Sequence, residues 1–125
     1  MHTGHGAVVI LGHILIAVFF LYIGLRNLRI IPRHVERFRN YGIPFPGPFL
    51  AAGFAFQFGG GLLVLAGWHA DLGAILLIVF TVLANLLYHH FWTMKDPATR
   101  RIHQNYFFNN LAVMGGLLLV FAAAP

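Results

Sequence analysis

Four stretches of this chain are apolar for about the length a helix needs to cross a bilayer, and nothing else in the sequence constrains the fold as strongly. They run from Ala7 to Leu25, Pro48 to Trp68, Leu72 to Phe91 and Tyr106 to Ala124. About 20 apolar residues span the roughly 30 Å of hydrocarbon in a membrane. Only His13 interrupts the first run as an ionisable group. Hydrocarbon offers the backbone no hydrogen-bond partners, so a chain that enters it folds as helices or as a closed barrel. Barrel strands are shorter and alternate polar with apolar residues, which these runs do not. The whole chain is only 9% charged, against about a quarter for a soluble domain. The expected fold is therefore an all-α membrane protein with four transmembrane helices in an antiparallel bundle.

Proline, glycine and aspartate mark the joints. Pro44, Pro46, Gly47 and Pro48 separate the first link from the second helix, with Pro48 suited to a first helical turn. The link Gly67–Asp71 is too short for anything but an antiparallel neighbour. Asp71 is placed to accept from free N–H groups at the start of the third helix. Asp96-Pro97 breaks the chain after it. These signals predict one transmembrane domain over 1–125, with helices near 7–27, 48–67, 72–92 and 104–123. The first run has no basic segment before it and no small-residue cleavage pattern after it, so it reads as a retained helix and not a signal peptide.

Charge predicts orientation. All 8 basic residues fall in two links: Arg26, Arg29, Arg33, Arg37 and Arg39 in the first, Lys95, Arg100 and Arg101 in the third. Basic links stay on the cytoplasmic side, which puts both termini on the outer, periplasmic side of a bacterial inner membrane. The formal charge of +5 is thereby explained by topology, with no nucleic acid implied. Within the first link, residues 32–41 have the pattern of a short amphipathic helix at the interface, with Val35 and Phe38 on one side. Its arginines, with Arg26, Arg29, Arg100 and Arg101, are expected to contact lipid headgroups. Gly42 is its expected stop.

Each long helix also carries one stripe of polar and small residues at helical spacing. His13, Ala17, Phe20, Gly24 and Asn27 form the first, and Gly53, Gln57, Gly60 and Gly61 the second. Thr81, Asn85 and His89 form the third, and Asn105, Asn109, Ala112 and Gly116 the fourth. Polar groups are costly in lipid and face the bundle interior, so His13, Gln57, Asn85 and Asn109 are the expected polar core. Cross-helix hydrogen bonding alone accounts for such groups. A second reading makes Asn85, His89, His90, Trp92 and Asn109 a site for a quinone or lipid headgroup, because polar donors there adjoin aromatic walls. A separate ridge on the second helix, Ala51, Ala55 and Gly59, has the four-residue repeat of close helix packing, within the bundle or against another chain.

Catalytic equipment is sparse. The chain contains no cysteine and no serine, and its only acids are Glu36, Asp71 and Asp96. That removes disulfides, thiolate metal sites and iron–sulfur ligation, and leaves no carboxylate pair in the membrane. Neither haem nor a nucleotide is expected; the Gly59–Gly61 run lies inside an apolar helix and is no phosphate loop. Of the 8 histidines, His2 and His5 stand close enough to hold a metal loosely, without further ligands at a recognised spacing.

Several short motifs stand in a fixed order along the chain. Tyr22-Ile23-Gly24 closes the first helix and Tyr41-Gly42-Ile43-Pro44-Phe45-Pro46 precedes the second. The run from Phe58 to Gly67, His89-His90-Phe91-Trp92, and the run from Asn109 to Leu118 complete the pattern. Their order resembles the DoxX family of small bacterial membrane proteins, and the resemblance implies a four-helix membrane protein. Relatives include a subunit linked to thiosulfate:quinone oxidoreduction and others tied to oxidative-stress complexes. Two positions depart from the family: Gln57 stands where members often carry Glu, and Asn27 where they often carry Lys. The expected role is an accessory subunit in a larger, redox-linked membrane complex, with no residue set for catalysis of its own. The alternatives are a quinone- or lipid-binding component and an oligomeric small-solute transporter.

Overall fold

In the computed structural model, residues 5–124 are described, and their regular structure is helical throughout. Four long helices are α1 (Ala7–Leu28), α3 (Pro46–Ala66), α4 (Ala70–Tyr88) and α5 (Pro97–Ala123). A shorter one, α2 (Ile31–Asn40), joins α1 to α3, and a 3-10 turn at Phe91–Thr93 lies between α4 and α5. All four long helices are apolar enough to cross a membrane. They run antiparallel in sequence order, α3 packing between α1 and α4, and α5 packing against α4.

Local chemistry sets the helix ends. At the end of α2, Gly42 adopts φ +73°, and Ile43 N–H reaches back to Phe38 O at 3.0 Å. Gly67 closes α3 in the same way, with φ +63° and Trp68 N–H on Leu63 O at 3.2 Å. Both are left-handed C-terminal reversals that glycine adopts without steric cost. The N-cap of α4 is His69, two residues before the expected cap; Asp71 sits in the first turn and accepts from Leu72 N–H at 2.8 Å.

Two boundaries differ from the sequence expectation. Helix α4 ends at Tyr88 and not near residue 92. The His90 ring donates to Leu86 O at 3.1 Å, taking the carbonyl that a continuing helix would use for its own N–H. Helix α5 begins at Pro97, seven residues before the apolar pattern suggested. Asp96 accepts from Thr99 N–H at 3.1 Å and from the Thr99 hydroxyl at 2.8 Å, so the same dipeptide that breaks the chain also starts the next helix. The basic residues Arg100 and Arg101 thus lie on the first turns of α5.

The core sits toward the end of the bundle where the termini lie. Ala17 and Phe20 of α1, Val64 of α3, Ala70, Ala74 and Leu77 of α4, and Leu117 and Val120 of α5 form one buried cluster. Helices α3 and α4 come together backbone to backbone. A Cβ on Gly60 would lie 2.9 Å from Gly73 O, and a Cβ on Gly73 would lie 2.9 Å from Gly60 O. The close-packing contact is therefore made by Gly60. The Ala51, Ala55 and Gly59 ridge faces away from the bundle: both alanines are exposed, and a Cβ on Gly59 meets nothing within 4 Å.

Candidate functional site: a cavity beneath the interfacial helix

Away from the packed core, at the basic end, the bundle encloses a cavity of about 360 Å³. Its walls come from α1, α2, α3 and α4. Apolar lining dominates, with Phe49, Phe54, Phe56 and Phe80 beside Val79, Leu83 and Leu87. Four polar residues punctuate it: Asn27, His34, Gln57 and Tyr88. Phe49, Ala52, Val79 and Leu83 are exposed, so the cavity opens between α3 and α4 on the surface that faces lipid. Concave, mainly apolar space of this size with a few placed polar groups is the usual form of a small-molecule site.

Helix α2 forms the roof, and Tyr88 anchors it. The Tyr88 hydroxyl and His34 Nδ1 are 2.7 Å apart. Phe38, buried, packs its ring 6.2 Å from that of Tyr88, and the Arg37 guanidinium lies 4.7 Å above the same ring. Three residues of one short helix thus converge on the last residue of α4. His34 Nε2 is buried with no hydrogen-bond partner. Burial, and then the Arg37 charge beside it, hold the His34 imidazole below its ordinary pKa of 6.5. The neutral ring is the form that fits here.

Gln57 closes the inner end of the cavity. It is buried and donates from Nε2 to Phe20 O at 2.9 Å. An ionised carboxylate has no hydrogen to offer that carbonyl, so this contact calls for the amide and not for the Glu that the family resemblance implied at this position. Asn27, at the other departure from that pattern, faces the cavity.

The other residues singled out by sequence are distributed differently. His13 is buried, and its Nδ1 donates to Val9 O at 2.8 Å. Asn85 is buried too; it accepts from Asn110 Nδ2 at 2.7 Å and donates to Phe107 O at 3.3 Å. Its partner on α5 is Asn110, not Asn109, which is exposed. The inward face of α5 is His103, Phe107, Asn110, Val113, Leu117 and Val120. The stripe Asn105, Asn109 and Ala112 is turned outward, a correction to the expected core. The reason is rotational: successive helical residues point about 100° apart, and the packing of Leu117 and Val120 fixes the other register.

Asn85, His89, His90, Trp92 and Asn109 do not line one pocket, and none of them borders the cavity. His89 Nδ1 lies 3.0 Å from His103 Nδ1, so one ring donates and the other accepts. The His90 ring packs 5.6 Å from Tyr41. Trp92 is exposed, its ring 5.9 Å from Phe107. Because α4 stops at Tyr88, the residues after it splay onto α2 and α5 and do not continue the helical stripe. The arginines at positions 26, 29, 33, 37, 39, 100 and 101 are all exposed at this end. At the opposite end His5 Nε2 lies 3.2 Å from Ala123 O and its ring 5.0 Å from His13; His2 lies outside the described residues. Among the described residues, no three His, Asp or Glu side chains converge to hold a metal ion.

Sequence reasoning found α2 but missed the cavity and the docking of α2 over it. His34 and Phe38, four residues apart, share a face of α2, and that spacing was the available signal. The partner, Tyr88, lies 54 residues away, a pairing that spacing along one helix does not reveal.

Two family patterns and a curated relative match this chain. The pattern of the SURF4 family matches residues 57–125. A Surfeit locus protein 4 homolog of Drosophila melanogaster is 32% identical over 65 residues. That stretch is 51% of this chain and 24% of the relative, which is therefore about twice as long. No solved structure matches. The DoxX pattern covers residues 8–90, from the first turn of α1 through the end of α4 and so every wall of the cavity: the chain belongs to the DoxX family.

Proposed function

We propose that this small membrane protein holds an amphiphile, a quinone or an acyl lipid, in the cavity beneath α2, and does so as an accessory unit of a larger membrane assembly, redox-linked in character. The observation that carries the reading is the cavity itself: an apolar-walled space open toward lipid, with Asn27, His34, Gln57 and Tyr88 as its polar groups. An oxygen-bearing head with an apolar body matches that lining. The site is on the α3 side of α4, in place of the α4–α5 cluster expected from sequence. Support for the accessory role comes from the short links between the spans and from the broad apolar surface of all four long helices.

The orientation we favour puts the basic end, and with it α2, on the cytoplasmic side, because all 8 Lys and Arg residues lie there. In a bacterial inner membrane the termini then face the periplasm. The same charge rule applies in the membranes of an animal cell such as that of the Drosophila relative.

The test is direct. Purified protein in lipid nanodiscs is titrated with a short-chain ubiquinone and, separately, with labelled phosphatidylglycerol, reading quenching of aromatic fluorescence and competition between the two. Gly53→Leu fills the cavity without removing a polar group; a Cβ at Gly53 has only Phe80 Cε2 near it, at 4.0 Å. Saturable binding that is lost in Gly53→Leu and retained in His89→Ala supports the reading. Binding that survives Gly53→Leu and fails in Asn85→Ala or His89→Ala returns the site to the α4–α5 cluster. Co-purification of the native protein with a larger complex of fixed stoichiometry tests the accessory role; recovery of the chain alone refutes it.

A further inference from the structure

Helix α5 carries its polar seam on the wrong side for its own bundle. Asn105, Asn109, Ala112, Leu119 and Ala123 are exposed, with Gly116 at the seam's inner edge. Their spacing alternates four and three residues, the repeat that keeps one seam facing a partner helix in a left-handed crossing. Along α5 only Leu117 and Val120 are buried, whereas six residues of α4 are.

Depth makes this exposure costly. Helix α5 has 27 residues and is about 40 Å long at about 1.5 Å per residue. Asn109 lies about 21 Å from its C-terminal end, level with the buried Asn85–Asn110 pair. A hydrocarbon core of roughly 30 Å that ends near Ala123 therefore leaves Asn109 about 9 Å inside lipid, too deep for so short a side chain to reach the headgroups. An amide in that position needs a protein partner.

We propose that this seam is where a second copy of the chain docks, helix α5 against helix α5 about a two-fold axis near Asn109. An amide is its own complement: each Nδ2 donates to the other copy's Oδ1, and a symmetric pair leaves neither group unsatisfied. Ala112, one turn on, leaves room for the backbones to approach. Helix α5 contributes no wall to the cavity, so this proposal and the amphiphile site stand or fall separately.

The native chain has no cysteine, which makes disulfide mapping clean. Single variants Ala112→Cys and Leu119→Cys are reconstituted at low density in phosphatidylcholine–phosphatidylglycerol vesicles and oxidised mildly. Leu111→Cys and Leu118→Cys, exposed on the other flank of α5, and Ala55→Cys on α3 serve as comparisons. Dimer bands at 112 and 119, and not at 111, 118 or 55, are expected. Adding Asn109→Leu to Ala112→Cys should weaken dimerisation about threefold to tenfold, the range for an interhelical hydrogen bond in a membrane. Equal crosslinking at every position, crosslinking centred on Ala55, or no crosslinking at all overturns the proposal. So does a product that forms only in native membranes and joins α5 to a different protein.

Discussion

Replacing Gly60 by alanine tests the packing argument most sharply. The added methyl would lie 2.9 Å from the Gly73 carbonyl oxygen and 2.9 Å from Leu77 Cγ. A carbonyl in the middle of a helix cannot move aside without displacing α4, so the contact is relieved only by separating the two helices. Overpacking of this kind costs about 1–3 kcal/mol. Against it stands the helix-propensity gain of Gly→Ala, up to about 1 kcal/mol. Gly59→Ala carries the same propensity gain, yet its methyl meets nothing within 4 Å. The difference between the two variants therefore isolates the packing cost. Gly24→Ala falls between them, because the atom its methyl would meet at 2.9 Å is the tip of the Phe58 ring, which can swing away. Reversible unfolding in mixed detergent micelles should rank the variants Gly59→Ala most stable, then Gly24→Ala, then Gly60→Ala. Gly60→Ala should fall below Gly59→Ala by about 1–3 kcal/mol. A gap of less than about 0.5 kcal/mol, the scatter expected of independent substitutions, would refute the backbone contact between α3 and α4.

Three further outcomes follow from the structure. The His34 pKa is lowered in the folded protein, so folding favours the neutral ring; that preference is satisfied above pH 6.5 and is progressively lost as pH falls below it. Protection of the α2 amides, taken relative to the intrinsic exchange rate at each pH, should therefore fall between pH 7.5 and 5, and His34→Gln should flatten the dependence. Gln57→Leu removes the donor to Phe20 O and should destabilise the bundle by about 0.6–1.7 kcal/mol in the same unfolding assay, with no effect on α5. Asp96→Ala removes the acceptor for Thr99 N–H; faster amide exchange over residues 98–100, with the rest of α5 unchanged, is the expected result.

Much of the architecture is legible before any contact is known. The stripes His13–Ala17–Phe20–Gly24 and Gln57–Gly60–Gly61 are the buried faces of α1 and α3, and Thr81 and Asn85 are buried on α4. On these helices the polar and small residues coincide with the packing face. On α5 they do not. Two candidate faces compete there, Asn105–Asn109–Ala112 and Asn110–Leu117–Val120, and periodicity alone favours whichever looks more polar. The choice is made by what α4 offers opposite: Asn85 at the right depth to meet Asn110. The cavity escaped for the same reason. Its polar groups come from four separate helices, and His34 meets Tyr88 only because α2 folds back over the end of α4.

The sequence by itself determined the number of membrane helices, their alternation, the gathering of all basic charge at one end and the glycine stop of α2. These follow from solvent and backbone: hydrocarbon length, missing hydrogen-bond partners, and conformations that glycine adopts freely. Only the tertiary structure decided which face of α5 is inside, that Gly60 and not Gly59 touches α4, and that a cavity lies under α2. Those are matters of helix rotation about the axis and of side chains meeting across long separations. A period of 3.6 residues defines every face of a helix equally well and leaves the neighbouring helices to select among them.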